Sequence, residues 1–152
     1  MKDLRNIYIE ATSKTPEVDF DSMTGNLILS GRSIPENATE LYDPLYKWIN
    51  QYVLNPCQVT NLRLTLEYFN TASSIWIAKI VKTLSRMDKP DNLLYIHLYF
   101  NIEEFDNMET EDIKDAISPV VDIISDATVS IVVKIYGTDD NGEIIKESMV
   151  LI

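Results

Sequence analysis

Apolar positions recur along this chain with two different periods, and each change of period marks the end of a predicted element. Alternation or a β-branched run is typical of strands, whereas recurrence at i, i+3, i+4 and i+7 is typical of one helix face. Strands are predicted at 7–9, 27–30, 61–69, 94–100, 129–136 and from 144 onward. Helices are predicted at 41–53, 73–87 and 113–124. Pro44 is expected to mark the start of the first helix or a kink in it.

The order of these elements predicts the fold class. Helices between the middle strands imply crossover connections, whereas turns near both ends imply antiparallel hairpins. We therefore predict one α/β domain over residues 1–152, with a mixed sheet of about six strands and helices packed on it. Strands 7–9 and 27–30 are expected to pair with each other. Pro16 argues against a central strand within the turn-rich segment 12–19.

Charge narrows the classes of partner. The chain has 24 acidic and 13 basic residues, so its net charge is −11. Nucleic acids and anionic membranes carry the same sign of charge, and we therefore predict no binding to either. A basic surface on a protein partner would complement this charge.

The chain's start and its single cysteine bear on location. The first residues lack the apolar stretch of a secretion signal, and no run approaches the length of a membrane span. Cys57 has no second cysteine to pair with, and no Cys/His set has metal-ligand spacing. We expect a cytoplasmic protein without a metal or other cofactor.

Polar side chains are concentrated where the strand at 61–69 gives way to the following helix. The segment reads Tyr68-Phe69-Asn70-Thr71-Ala72-Ser73-Ser74. One interpretation is a helix cap, which contributes about 1 kcal/mol. The other is a place that receives a phosphate, because the unpaired N–H groups of Ala72, Ser73 and Ser74 would face it. Local chemistry favours the cap and does not select among the three hydroxyl groups.

An enzymatic interpretation depends on His97, the one histidine of the chain. Its partners would come from an acidic run, which comprises Glu103, Glu104, Asp106, Glu109, Glu111 and Asp112. Neither a Gly-rich phosphate loop nor a G-x-S-x-G nucleophile turn is present in the sequence. Acidic residues also favour a helix N-terminus, so the run is typical of a solvated helix entry. A small enzyme stays an alternative that requires these residues to converge in a pocket.

Three ordered motifs together resemble the SiaC family of bacterial regulatory phosphoproteins. They are Thr15-Pro16-Glu17-Val18-Asp19-Phe20 followed by Gly25; Gly31-Arg32-Ser33-Ile34-Pro35-Glu36-Asn37 leading into Tyr42-Asp43-Pro44-Leu45 and Trp48; and the segment from Tyr68 to Ser74. The similarity extends from residue 4 to about residue 136.

The resemblance implies a non-catalytic adaptor with a fold similar to that of anti-sigma-factor antagonists. Its phosphoacceptor would be Thr71, with Asn70, Ala72, Ser73 and Ser74 as the surroundings of the phosphate and part of the partner-binding surface. A cognate kinase would phosphorylate Thr71, and a PP2C-type phosphatase would reverse this. The unphosphorylated form would bind an effector, which in the best-understood systems is a diguanylate cyclase that it activates. The remaining alternative is a constitutive scaffold in which Thr71 only caps the helix.

Overall fold

The fold is an α/β domain built on one mixed sheet. The computed structural model describes residues 4–87, 91–103 and 129–151. Within these ranges the elements are β1 (Ile7–Ile9), β2 (Glu17–Phe20), β3 (Asn26–Ser33), α1 (Ala38–Tyr52), β4 (Val59–Phe69), α2 (Thr71–Ser85), β5 (Leu93–Asn101), β6 (Ser130–Thr138) and β7 (Ile144–Leu151).

The seven strands lie in the sheet in the order in which they occur in the chain. β3, β4, β5 and β6 are parallel to one another, whereas β1, β2 and β7 add antiparallel pairings at the two sides. Helices α1 and α2 connect parallel strands and pack against each other. The predicted α/β class and mixed sheet are therefore confirmed. The predicted hairpin near the C-terminal side is confirmed as well, because β6 pairs with β7 across a short turn.

The number of strands and the first pairing differ from the prediction. Glu17–Phe20 forms the additional strand β2, which lies between β1 and β3 and pairs with both. The expected direct pairing of 7–9 with 27–30 is therefore wrong. Pro16 precedes β2 and does not interrupt it. Only Val18 and Phe20 of this four-residue strand are buried, which gives too short an alternation to stand out from the turn residues before it.

Both helices begin earlier than their apolar periodicity predicted. α1 starts at Ala38, where the side chain of Asn37 accepts a hydrogen bond from the Glu40 N–H, and it continues past Pro44. Pro44 therefore lies inside the helix and does not mark its start. α2 starts at Thr71, two residues before the predicted start. The predicted helix 113–124 and most of the acidic run lie outside the described residues.

The main core lies between the sheet and the two helices. Its members come mainly from the four parallel strands and the two helices. They include Leu27, Leu29, Leu62, Leu64, Leu94, Ile96, Ile131 and Val133 from the sheet and Leu45, Ile49, Ile80 and Leu84 from the helices. Complete burial of such a side chain contributes about 1.5–3 kcal/mol. Of the two described helices, neither has the length and hydropathy that a bilayer crossing requires.

Gly25 fixes the turn before β3 against the start of β4. Its φ of +76° lies in the left-handed region, and its carbonyl accepts a hydrogen bond of 2.8 Å from the Asn61 N–H. A Cβ at this position would lie 2.6 Å from the Val59 carbonyl oxygen. Both constraints require glycine at this turn, which gives a structural reason for its place in the first motif.

Candidate functional site

The polar segment lies at the carboxyl-terminal edge of the parallel strands. Phe69, the last residue of β4, pairs with Ser33, the last residue of β3. The Asn70 N–H then donates to the Ser33 carbonyl at 3.0 Å, and α2 begins at the next residue. Sheets of this type bind ligands at this edge. Thr71 is therefore at an edge suited to recognition.

Asn70 is the cap of α2. Its backbone is extended, with φ −83° and ψ 172°, and its side-chain oxygen accepts a 2.9 Å hydrogen bond from the Ser73 N–H. The Asn70 carbonyl accepts from the Ser74 N–H at 3.0 Å. Thr71 is consequently the first helical residue, so the cap that the scaffold alternative placed at Thr71 is at Asn70. Because one cap suffices for this turn, the Thr71 hydroxyl is not needed for it.

The free N–H groups at this helix end differ from those predicted. Ser73 and Ser74 donate to Asn70, so two of the three expected donors are occupied. The N–H groups of Thr71 and Ala72 have no hydrogen-bond partner in the part of the chain that the structure describes. A phosphate at this end would therefore meet two unpaired donors and the positive end of the helix dipole.

Exposure separates the three hydroxyl groups of the motif. Ser73 is 0% exposed, and its hydroxyl is hydrogen-bonded on both sides. Ser74 is half-buried and donates to the Asn70 carbonyl at 3.3 Å. Thr71 is exposed, and its hydroxyl contacts no polar partner among the described residues. A kinase would reach Thr71 without disturbing the fold, whereas it would reach Ser73 only after the start of α2 opens.

A buried chain of hydroxyl groups fixes the start of α2 to the sheet and to α1. Ser33 Oγ donates to Ser73 Oγ at 2.8 Å, and Ser73 Oγ donates to the Ser33 carbonyl at 3.0 Å. Because the Ser33 hydrogen is used in this way, Ser33 Oγ accepts the hydrogen of the Tyr42 hydroxyl, its third partner. Burial raises the pKa of Tyr42, which keeps the phenol protonated as the donor.

The second and third motifs meet at this edge, and the start of the first motif lies beside them. The Ile34 N–H donates to the Lys14 carbonyl at 2.8 Å, and the Lys14 ammonium lies 2.9 Å from the Glu36 carboxylate. Ser33 of the second motif in turn contacts Ser73 of the third. Sequence reasoning did not assign a role to Ser33 or Tyr42. The available signal was a serine on the buried side of β3 and a tyrosine within the apolar face of α1.

Apolar side chains lie before and after Thr71 in the sequence, and a cation lies further along α2. Phe69 is 48% exposed and Ile75 is 54% exposed. Trp76 stacks on Tyr42, with ring centroids 6.4 Å apart, and the Lys79 ammonium lies 4.5 Å from the centroid of the Trp76 ring. Exposed apolar side chains that lie close together are typical of surfaces that bind other proteins.

His97 has a structural environment. Its side chain faces away from the helices and is 4% exposed. Nε2 donates to Asn61 Oδ1 at 2.8 Å, and Nδ1 accepts from the Tyr136 hydroxyl at 2.7 Å. Burial, with smaller contributions from Arg63 and Lys134, lowers the pKa of His97 to about 4. Both ring nitrogens are occupied, so His97 has no free position for acid–base chemistry on an external substrate.

The acidic partners that the enzymatic alternative requires are not seen beside His97. Glu103 is exposed at the end of the described β5 segment, and the run from 104 onward lies outside the described residues. Among the described residues, no group of three His, Cys, Asp or Glu side chains could hold a metal ion. Within the ranges that the structure describes, the polar neighbours of His97 are the amide, phenol and cationic groups already named.

Comparison with known proteins places the chain in a family. The model of the SiaC family regulatory phosphoprotein matches residues 9–125, which is more than half of the chain. The chain belongs to the SiaC family of regulatory phosphoproteins. The predicted resemblance is therefore confirmed. The second and third motifs meet at one sheet edge beside the start of the first.

Individual relatives agree with this assignment. Apo-SiaC from Pseudomonas aeruginosa is 22% identical, with a TM-score of 0.60 over 85% of this chain and 98% of that chain. A second similar chain occurs in the crystal structure of diguanylate cyclase SiaD in complex with its activator SiaC from P. aeruginosa. Its TM-score is 0.64 at 22% identity, over 82% of this chain and 97% of that chain. These two matches show a shared fold.

A curated relative is similar over a shorter stretch. An uncharacterised protein of P. aeruginosa strain UCBPP-PA14 is 31% identical over 70 residues, which are 46% of this chain. The match spans 56% of that relative's own length.

Proposed function

We propose that this SiaC family member is a non-catalytic adaptor that is switched by reversible phosphorylation of Thr71. A cognate kinase adds the phosphate, and a PP2C-type phosphatase removes it. The unphosphorylated form binds and regulates an effector protein, for which a diguanylate cyclase is the best candidate. One observation carries the proposal: Thr71 has an exposed hydroxyl without a polar partner among the described residues, whereas the hydroxyls of Ser73 and Ser74 are hydrogen-bonded.

The physical effect of the phosphate is local. It adds about −1.5 to −2 charges and several acceptor oxygens. Thr71 and Ala72 offer unpaired N–H groups, and the helix dipole favours an anion there by about 0.3–1 kcal/mol. The fold therefore tolerates the phosphate. A partner docked over Phe69 and Ile75 would instead face a new charge within its binding surface.

The choice of effector rests on the family and on one complex of a relative. SiaC of P. aeruginosa has a structure in complex with the diguanylate cyclase SiaD, of which it is the activator. One chain of that complex has the same fold as this protein. A kinase that uses ATP and a cyclase that uses a nucleotide both imply action in the cytoplasm.

The switch is tested by measuring binding to the source organism's diguanylate cyclase, purified at full length. We expect the wild-type chain and Thr71→Ala to bind equally. Thr71→Asp and the kinase-phosphorylated chain should bind roughly tenfold more weakly or worse, because a charge enclosed in a contact without a counter-charge loses its hydration. Isothermal titration calorimetry with each form gives the affinities.

Thr39→Asp is the matched control, because Thr39 is an exposed residue in the first turn of the other helix, α1. It adds the same charge at a comparable place and should leave the affinity unchanged. The switch is contradicted if the wild-type chain and the chain phosphorylated at Thr71 bind the cyclase with the same affinity. Inclusion of the phosphorylated chain matters because a carboxylate imitates a phosphate incompletely.

A further inference from the structure

The exposed face of α2 forms one continuous stripe that begins at the proposed phosphoacceptor. Its members are all exposed and are Thr71, Ile75, Lys79, Lys82 and Arg86, the last of which caps the C-terminal end. At about 100° per residue these positions fall within an arc of about 80°. The stripe is about 22 Å long, since each residue advances the helix by about 1.5 Å.

The charge of this stripe is opposite to that of the molecule. The chain has a net charge of −11. In contrast, α2 and its C-terminal cap residue together have three cationic side chains, and α2 contains no Asp or Glu. A helix dipole favours cations near the C-terminus, which accounts in part for Lys82 and Arg86. The same dipole favours acids in the first turn, where α2 has none. Helix stability alone therefore does not explain the composition.

The cations of the stripe also differ from other lysines in their partners. Lys14 is paired with Glu36, Lys47 with Asp43 and Lys134 with Glu147. Lys82 and Arg86, in contrast, contact no carboxylate in the ranges that the structure describes. Lys79 lies over the Trp76 ring. The stripe thus presents cations that are available to an external carboxylate.

We infer that this stripe is the docking surface for an acidic amphipathic helix of the effector. Carboxylates of that helix would pair with Lys82 and Arg86, while an apolar side chain would pack on Ile75. This inference rests on the proposed function, and it names the chemistry of the partner at the same site. It also differs from the basic partner that the net charge of the whole chain suggested.

The inference supplies a reason for release on phosphorylation. Thr71 lies at the head of the stripe, one helical turn from Ile75. A phosphate there would place negative charge against an acidic partner, so that like charges meet at the contact. Nucleic acid and anionic membrane suit the stripe less well, because three cations do not offset the repulsion from the remaining acidic surface.

A pair of synthetic peptides tests the partner's chemistry independently of the cyclase. One is a helical peptide of about 20 residues with leucines on one face flanked by glutamates, and its twin has lysine in place of each glutamate. Each is titrated into the full chain, and amide shifts are followed by NMR. We expect the acidic peptide to shift Ile75, Lys79, Lys82 and Arg86, and the basic twin to leave them in place.

Charge-reversal variants test the residues. Lys82→Glu combined with Arg86→Glu should weaken binding of the acidic peptide at least roughly tenfold, mainly in the association rate. Lys14→Glu combined with Lys47→Glu is the matched control, with the same change of net charge at two exposed lysines outside α2. Lys82→Gln with Arg86→Gln should give an intermediate loss, and circular dichroism confirms that each variant folds.

Salt dependence and competing anions complete the test. Binding of the acidic peptide should weaken as ionic strength rises from about 0.01 M to about 0.15 M, where the screening length falls from about 30 Å to about 8 Å. The inference is overturned if the acidic peptide leaves α2 unperturbed or if the basic twin binds as well. Stronger binding of α2 to phosphatidylserine vesicles or to duplex DNA than to the acidic peptide would also overturn it.

The cyclase assay separates this inference from the proposed function. One outcome is that phosphorylation of Thr71 releases the cyclase, but the variant with Lys82→Glu and Arg86→Glu binds the cyclase as well as the control variant does. The inference then fails and the proposed switch stands. If the acidic peptide binds α2 as expected but no cyclase binds, the proposed effector fails and the chemistry of the stripe stands.

Discussion

At the scale of single residues, the three hydroxyl-bearing residues in the first turn of α2 have three different environments. Thr71 is exposed, Ser73 is enclosed and Ser74 is intermediate, although all three lie within four residues. The helical turn separates them, because positions that are adjacent in sequence point about 100° apart. The same geometry makes Ser73 a structural residue and leaves Thr71 available for modification.

His97 gives a prediction that belongs to one residue. An unfolded histidine titrates near pH 6.5, whereas the pKa of His97 in the folded chain is about 4 because the ring is buried beside Arg63 and Lys134. Between these values the unfolded state takes up a proton that the folded state does not. Above about pH 6.5, His97 therefore does not lower the free energy of unfolding. As the pH decreases from about 6.5 toward 4, protonation of the unfolded state lowers this free energy by about 2–3 kcal/mol.

Urea unfolding of the wild-type chain and of His97→Gln at about pH 7 and about pH 5 measures this effect. Carboxylates titrate in both proteins, so the difference between the two pH dependences isolates the histidine. The wild-type chain should lose more stability than the variant over this interval. A variant that loses as much as the wild-type chain would show that the His97 pKa is not lowered by the fold.

At the scale of elements, the start of α2 depends on contacts to β3 and α1. Ser73→Ala would leave the Ser33 hydroxyl without its acceptor in a site closed to water, whereas the Ser33 carbonyl would keep the Asn70 N–H as a donor. Unsatisfied buried groups cost about 1–3 kcal/mol, so we expect a loss of that size in the free energy of unfolding. Chemical denaturation measures it.

Ser74→Ala is the matched control, because it removes the same hydroxyl from a half-buried position with a 3.3 Å hydrogen bond. Its effect should stay within about 0.5 kcal/mol. Equal losses for the two variants would mean that the buried hydroxyl chain does not stabilise the start of α2.

The elements also show which parts of the structure were predictable from the sequence. Long apolar periods predicted β4, α2 and β5 well, because many buried positions repeat the signal. β2 was missed because its four residues provide only two buried positions. The sequence did not decide which residue caps α2, because Asn and Thr have similar preferences for this position. The backbone angles and the side-chain hydrogen bond of Asn70 identify it as the cap.

The candidate site was predicted in part for a related reason. Family resemblance pointed to Thr71, whereas local chemistry left three hydroxyl groups equivalent. The roles of Ser33 and Tyr42 depend on contacts between distant positions of the chain. Ser33 contacts Ser73, which is 40 positions away, and Tyr42, which is 9 positions away. Such contacts follow from the arrangement of strands and helices, and periodicity along one segment does not contain them.

At the scale of the whole molecule, the sheet edge and the charge distribution act together. The parallel strands bring the start of α2 and the loop before α1 to one edge, where the second and third motifs meet beside the start of the first. The net charge of −11 suggested a basic partner, but it does not describe how the charges are distributed over the surface. The structure instead concentrates cations along α2 on an otherwise acidic protein, so the partner that α2 selects is acidic.

The most direct test of the central claim is to locate the phosphate. The full chain is incubated with its cognate kinase and ATP, or isolated from its host cells, and the modified residue is mapped by mass spectrometry. The proposed switch predicts phosphate on Thr71, with Ser73 unmodified because it is buried. Phosphate on Ser73 or Ser74 while Thr71 stays unmodified would contradict it.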